Sequence, residues 1–180
     1  YTLWHTLSLH DALPILRLCS IVPGKLGNCP GDCKWCAQSS QAMAGGRYTA
    51  QRTALSEIVS EAKAASRYGA ANIGIVNSGL RPTKRDLTDI SRVVEAVTIL
   101  CNGEISPCAS LGELTREQAT FLADCGISRY HHNLETSRRF FPQVVSNHNY
   151  DAKIRTLQVA KNAGMDICCG ALLGMGETWE

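Results

Sequence analysis

Residues 116–135 read REQATFLADCGISRYHHNLE, and this stretch decides how the chain is organised. Thr115 precedes it and Gln118 stands three residues further on, the capping-box signature of a helix start. The helix runs through REQATFLADC and is closed by Gly126, since a glycine just past the last turn adopts the left-handed conformation at no steric cost. ISRYHHNLE then reads as a strand that runs into polar residues.

The same succession recurs on both sides. TALSEIVSEAKAASRY, residues 53–68, places Leu55, Ile58, Val59, Ala62 and Ala65 on one helical face. Gly69 follows, then the apolar strand ANIGIVNSG. Residues 84–100 put Leu87, Ile90, Val94 and Val97 on one face, ahead of the strand EISPCASLG. YDAKIRTLQVAKNA is a helix closed by Gly164 and followed by MDICCGALLG; RLCSIV supplies the first strand. Five strands alternating with helices imply βαβ units and a parallel sheet, an α/β fold.

Composition narrows the function. The chain has 180 residues, 44% hydrophobic and 19% charged, with a formal net charge of +2. Interspersed charges of that size give no footing for nucleic acid or a membrane surface. No apolar run reaches membrane-spanning length, and no stretch with a basic start and a small-residue cleavage site reads as a signal peptide. Nine cysteines, an odd number with three crowded together, do not describe a secreted disulfide framework. They fit metal-bound thiolates in a reducing cytoplasm, which is the expected location. The opening YTLWHTLSLHDALPI resembles translated adapter read-through, so residues 1–16, with His5 and His10, are expected to be a non-native leader. Residues 17–180 are then a partial domain, whose open sheet edge would aggregate or need a partner.

The chemically capable residues fall at one end of the predicted sheet. A three-cysteine loop follows the first strand. Asn77 and Ser78 end the second, Cys108 lies on the third, and His131, His132, Asn133 and Glu135 end the fourth. Cys168 is on the fifth, with GMGE after it. Active sites of barrels and open α/β sheets gather at the carboxyl ends of parallel strands. The loop, NCPGDCKWCAQSS, sets Cys29, Cys33 and Cys36 at C-x3-C-x2-C. A structural zinc site is closed by four ligands, and a cubane [4Fe–4S] cluster usually takes four thiolates. Three thiolates would leave one iron open. A zinc loop with a distant fourth ligand, or an electron-transfer centre, stays possible on spacing alone. Cys101 and Cys125, on helices, read as small core residues, Cys19 as a buried strand residue and His132 as an internal histidine.

C-x3-C-x2-C with an aromatic before the last cysteine, Trp35, resembles the radical S-adenosylmethionine (SAM) enzymes. LCSIVPGKLGNCPGDCKWCAQSS, RYHHNLETSRRFFPQVVSNHNYD and CCGALLGMGET resemble the biotin synthase family among them, from about Leu18 to Glu180. The resemblance implies a TIM-type (β/α) barrel, truncated after about five strands. It implies a [4Fe–4S] cluster on Cys29, Cys33 and Cys36, with SAM on the open iron, and radical insertion of sulfur into dethiobiotin. Asn133, Glu135, Gly174 and Glu177 match positions near SAM, and His131 and Asn133 positions near dethiobiotin. Trp35 matches a packing residue or adenine neighbour. No residue is matched to a catalytic acid or base. The family also implies a reductant such as a flavodoxin or ferredoxin, a homodimer, and a second, [2Fe–2S] cluster. Cys108 and Cys168 match two of that cluster's ligands, but Gly74 stands at the third, and the family's arginine ligand would lie beyond Glu180. Cys169 cannot replace the third, because adjacent strand residues point to opposite faces. Gly31 stands where the family usually has Glu. Two other readings follow: a radical SAM enzyme without the second cluster, and a non-enzymatic iron–sulfur or zinc module.

Overall fold

The computed structural model describes residues 17–40 and 50–178; the expected leader, residues 1–16, lies outside them. The elements in chain order are β1 (Cys19–Leu26), β2 (Gln51–Arg52), α1 (Leu55–Arg67), β3 (Asn72–Asn77), α2 (Lys84–Leu100), β4 (Ser106–Ser110), α3 (Arg116–Asp124), β5 (Arg129–His131), α4 (Phe141–Val144), α5 (Tyr150–Asn162) and β6 (Asp166–Cys168). They form one six-stranded sheet in the order β2-β1-β3-β4-β5-β6. From β1 to β6 every neighbouring pair is parallel, so the five expected strands form an open arc of a (β/α) barrel. The sixth, β2, is antiparallel to β1 through Lys25↔Arg52 and Leu26↔Gln51. It occupies residues expected to lead into the first helix, which begins only at Leu55.

Alternation along β3 divides the faces. Ile73 and Ile75 are fully buried against the helices, while Asn72 and Gly74 take the opposite, inner face. Helix α1 contributes Ile58, Val59, Ala62 and Ala65 to that core, and α2 contributes Ile90, Val93, Val94 and Val97. Leu55, expected on the apolar stripe, is exposed because it is the first residue of α1. Cys101 is buried and Cys125 half-buried, as expected of core residues. Cys19 is exposed, contrary to the expectation, because the first residue of β1 faces the open inner side of the arc.

Capping boxes fix two helix starts: Thr83 with Asp86 on α2 and Thr115 with Gln118 on α3. Gly112 is demanded by its surroundings. Its φ is +91°, and a Cβ there would lie 2.4 Å from Leu80 O. Tyr130, fully buried, donates its hydroxyl to Gly112 O at 2.6 Å and accepts from Leu111 N at 3.1 Å, so β5 and the turn after β4 hold each other. No helix among the described residues is long and apolar enough to cross a membrane.

Candidate metal and cofactor site

The three-cysteine loop is closed on itself. Cys29 N donates to Gln38 O at 3.0 Å, Ser40 N to Cys29 O at 2.8 Å, and Cys36 N to Cys33 O at 3.0 Å. Its base is tied to the sheet by Ser78, whose hydroxyl donates to Gly27 O at 2.6 Å. Asp32 pins it from the far side, accepting from Ser146 N, Ser146 Oγ and Asn147 N. Those bonds, the Ser146 hydroxyl first, hold the Asp32 carboxyl below the usual range. Trp35 packs edge-on against Phe141 at 6.3 Å between ring centroids, a packing role.

A Cβ on Gly31 would lie 3.3 Å from Cys29 Sγ and 3.8 Å from Cys33 Sγ, so both border one small space that glycine leaves open. Cys29 Sγ accepts from Gly31 N at 3.4 Å, and Cys36 Sγ from Gln38 N at 3.5 Å. Burial pushes the Cys33 thiol up to about 11; Cys36 and Cys29 add to the rise and the Lys153 ammonium opposes it. The thiols therefore lie within one another's field, and binding iron would release the Cys33 proton. Among the described residues no three His, Cys, Asp or Glu side chains are gathered as for a single metal ion. A cubane spreads its thiolates over separate irons.

Beside the loop stand the residues after β5 and β6. Asn133 Oδ1 accepts from Gly170 N at 3.0 Å. Glu135 N donates to Gly170 O at 3.2 Å and Leu172 N to Glu135 O at 2.7 Å. Glu135 has φ +69°, a left-handed conformation uncommon outside glycine and a mark of functional positions. Gly174 also has positive φ, +89°. Glu177 is spent on its own loop, accepting from Gly174 N at 2.5 Å and Met175 N at 2.8 Å, which shapes the turn. Cys168 lies at the end of β6, in register with His131. A cavity of about 590 Å³ opens behind the loop between Lys25, Ser78, Arg81, His148 and Arg155. It contains none of the expected metal or cofactor residues. The strand-end surface is the better candidate, because the thiols of the loop and Glu135, with its left-handed backbone, lie there.

Lys153 escaped the sequence reading. It is 8% exposed, and its ammonium donates to Asn133 O at 2.9 Å. Burial lowers its pKa, while Glu135, Cys33, Glu113 and Cys169 raise it. The signal was present: Ala152, Lys153, Thr156 and Ala160 form the buried stripe of α5, and a lysine in an apolar stripe is a buried cation.

His132 is internal as expected, but its Nε2 has no hydrogen-bond partner among the described residues; nor has that of His131. Burial first, then Lys153 and His148, push His132 down to about 3. The unfolded chain takes up a proton near pH 6.5 that the folded chain refuses, so stability is lost as pH falls below about 6.5. Urea unfolding is expected to show a loss of about 2 kcal/mol from His132 between pH 7.5 and pH 5; His132→Gln removes that part and keeps the smaller loss from His131 and His148, which burial also lowers.

The comparisons with known proteins agree with this geometry. The model of the radical SAM superfamily matches residues 26–180. The chain is 41% identical over 167 residues to a biotin synthase from Thermotoga neapolitana, covering 92% of this chain and 58% of that one. It is 45% identical over 164 residues to a biotin synthase from Syntrophotalea carbinolica, covering 91% and 49%. The chain thus spans about half the length of the curated relatives it matches. Among solved structures, a maturase of the [FeFe]-hydrogenase superposes with TM-score 0.73 at 20% identity, over 88% of this chain and 36% of that one. Methylornithine synthase superposes with TM-score 0.71 at 17% identity, over 89% and 46%. With the family model matching from the last residue of β1 onward and the three thiols at the expected strand end, the chain belongs to the radical SAM superfamily.

Proposed function

We propose that this chain is the cluster-bearing part of an enzyme that inserts sulfur into dethiobiotin to form biotin. The observation that carries the reading is identity of 41–45% to biotin synthases over nine-tenths of the chain, with C-x3-C-x2-C at the end of β1. Cys29, Cys33 and Cys36 would hold the [4Fe–4S] cluster. When bound, that group supplies the electron that cleaves SAM to methionine and a 5′-deoxyadenosyl radical, which takes hydrogen from the saturated carbons to be joined by sulfur. The protein's part is positioning and charge. Glu135 presents a carboxylate that can accept two ribose hydroxyls. Asn133 ties the segment after β6 to β5. Gly174 and Glu177 hold the turn that would run beside the cofactor. His131, half-buried and neutral because burial and Arg129 lower its pKa, faces the inner side where dethiobiotin would lie. Lys153 places a positive charge beside Cys33, where the carboxylate of SAM would be neutralised. A reducing partner such as a flavodoxin or ferredoxin, a homodimer and a cytoplasmic location complete the reading.

Anaerobic turnover of the complete gene product with SAM, dithionite and dethiobiotin is expected to give 5′-deoxyadenosine and biotin. Formation of 5′-deoxyadenosine without biotin would reject sulfur insertion. It would favour a radical SAM reaction on another substrate, a reading that Gly74 supports by removing a thiolate. Lys153→Met is expected to weaken SAM binding about 10- to 100-fold, the loss of one charged partner, while Lys153→Arg keeps most of it. Equilibrium dialysis with labelled SAM measures both; equal affinity in Lys153→Met would remove the lysine from the site.

A further inference from the structure

Gly74 leaves the inner face of the sheet one thiolate short of the second cluster, and the fold offers a replacement. Register pairs on parallel strands share a face, as do residues two apart on one strand. Gly74 pairs with Ile21 on β1 and with Cys108 on β4, and Cys168 on β6 pairs with His131 on β5. A Cβ on Gly74 would lie 3.7 Å from Ile21 Cγ1 and 3.9 Å from His131 Cε1, so these residues all look inward. Cys19, two residues before Ile21, looks inward with them.

The strands of a (β/α) barrel tilt, so side chains at one level come from alternate strands, stepped by two residues in register. Cys19 is in register with Asn72 and, through it, with Ser106; two residues on is Cys108. Cys108 is in register with Arg129 and, through it, with Asp166; two residues on is Cys168. Cys19, Cys108 and Cys168 therefore form one layer of the barrel interior, from its first, third and fifth parallel strands. Gly74, on the second, sits between the first two.

We propose that Cys19 supplies the thiolate missing at Gly74, so that Cys19, Cys108 and Cys168 hold a second iron–sulfur cluster. The electrostatics support this grouping. Beyond the burial that raises both, Cys168 raises the Cys19 thiol and Cys19 raises that of Cys108, while the Arg129 guanidinium lowers each of them. Arg129 is held there by Asn72 Oδ1 at 3.4 Å and Asp166 Oδ2 at 3.2 Å, a fixed cation near the Cys19 and Cys108 sulfurs, which iron would make anionic. A diiron cluster divides its ligands between two irons, so it does not need the tight grouping of a single-ion site. The assignment deepens the sulfur-insertion reading and rests on it for the identity of the cluster.

The test removes the first cluster to expose the second. The complete gene product carrying Cys29→Ala, Cys33→Ala and Cys36→Ala is reconstituted anaerobically with iron and sulfide. It is expected to retain about two irons per chain with the absorption and Mössbauer spectrum of a [2Fe–2S] cluster. Adding Cys19→Ala, at an exposed position that leaves the core untouched, should take iron to background. Adding Gly74→Cys to that variant should restore it, since a Cβ at Gly74 meets nothing nearer than Ser20 O at 3.6 Å. The proposal is overturned if the triple variant, folded by circular dichroism, holds no iron, or if Cys19→Ala leaves its iron unchanged. It is equally overturned if His131→Ala removes the iron and Cys19→Ala does not, which would make the imagined thiolate an imidazole. Failure of the sulfur-insertion reading shows elsewhere, in the product analysis of the protein with its loop intact.

Discussion

Cys33→Ala is expected to empty the loop of its cluster, with iron per chain falling by about four and 5′-deoxyadenosine formation by more than about 100-fold. Partners one step removed from a metal centre already cost 10- to 100-fold, and Cys33 is a ligand in this reading, with no fourth thiolate in the loop to replace it. The fold should survive. Cys33 is only half-buried, at the rim of the small cluster of Phe141, Val144 and Val145, and deleting one sulfur there costs about 1 kcal/mol. Cys101→Ala serves as the control, with iron content unchanged and a comparable small loss of stability, because that thiol is buried among α2 and its neighbours. Iron analysis and anaerobic SAM cleavage check the pair; wild-type iron in Cys33→Ala would remove the loop from the chemistry.

The largest loss of stability is expected from Asp86→Ala, about 3–5 kcal/mol, a fall in Tm of roughly 10 °C or more for a chain of this size. Asp86 is fully buried. Its carboxylate accepts from Lys25 at 3.0 Å, Arg52 at 2.7 Å and Thr83 N at 2.8 Å, so one side chain joins β1, β2 and the start of α2. Removing it leaves two cations without their shared partner just where β1 leads into the cysteine loop. Burial alone would raise the Asp86 pKa, but the bonds from Thr83, Lys25 and Arg52 prevail and hold it at about 2. A carboxylate depressed in the folded state contributes stability that is complete above its unfolded value, about 3.9. That contribution is lost as pH falls from about 4 toward 2. Acid unfolding followed by circular dichroism should therefore show a step in that window which Asp86→Ala lacks.

Most of the fold was legible because the longer helices carry 3.6-residue apolar stripes, and α1, α3 and α5 each end at a glycine. Gly69, Gly126 and Gly164 all take positive φ where the helices stop. What escaped has physical reasons. β2 is two residues long and antiparallel, too short for any alternation to show. α4 is a single turn whose burial comes from Phe141 and Val144 meeting the loop. Cys19 was read as buried because strand residues in an α/β core usually are; here the inner face of the arc is open. The site was legible as a set of strand-end positions. Yet Glu177 turned out to bond its own loop, and Lys153 was hidden because lysine is ordinarily exposed. Gly74 and His131 were visible as departures from a pattern, but that the imidazole lies over the glycine needed coordinates.

The central claim is that Cys29, Cys33 and Cys36 hold a cluster with one iron open to SAM. Electron paramagnetic resonance of the anaerobically reconstituted, dithionite-reduced protein, with and without SAM, tests it most directly. The expected result is a [4Fe–4S] signal that shifts when SAM is added, the mark of a ligand reaching the open iron. A cluster signal indifferent to SAM, or a folded protein that binds zinc and no iron, would contradict it.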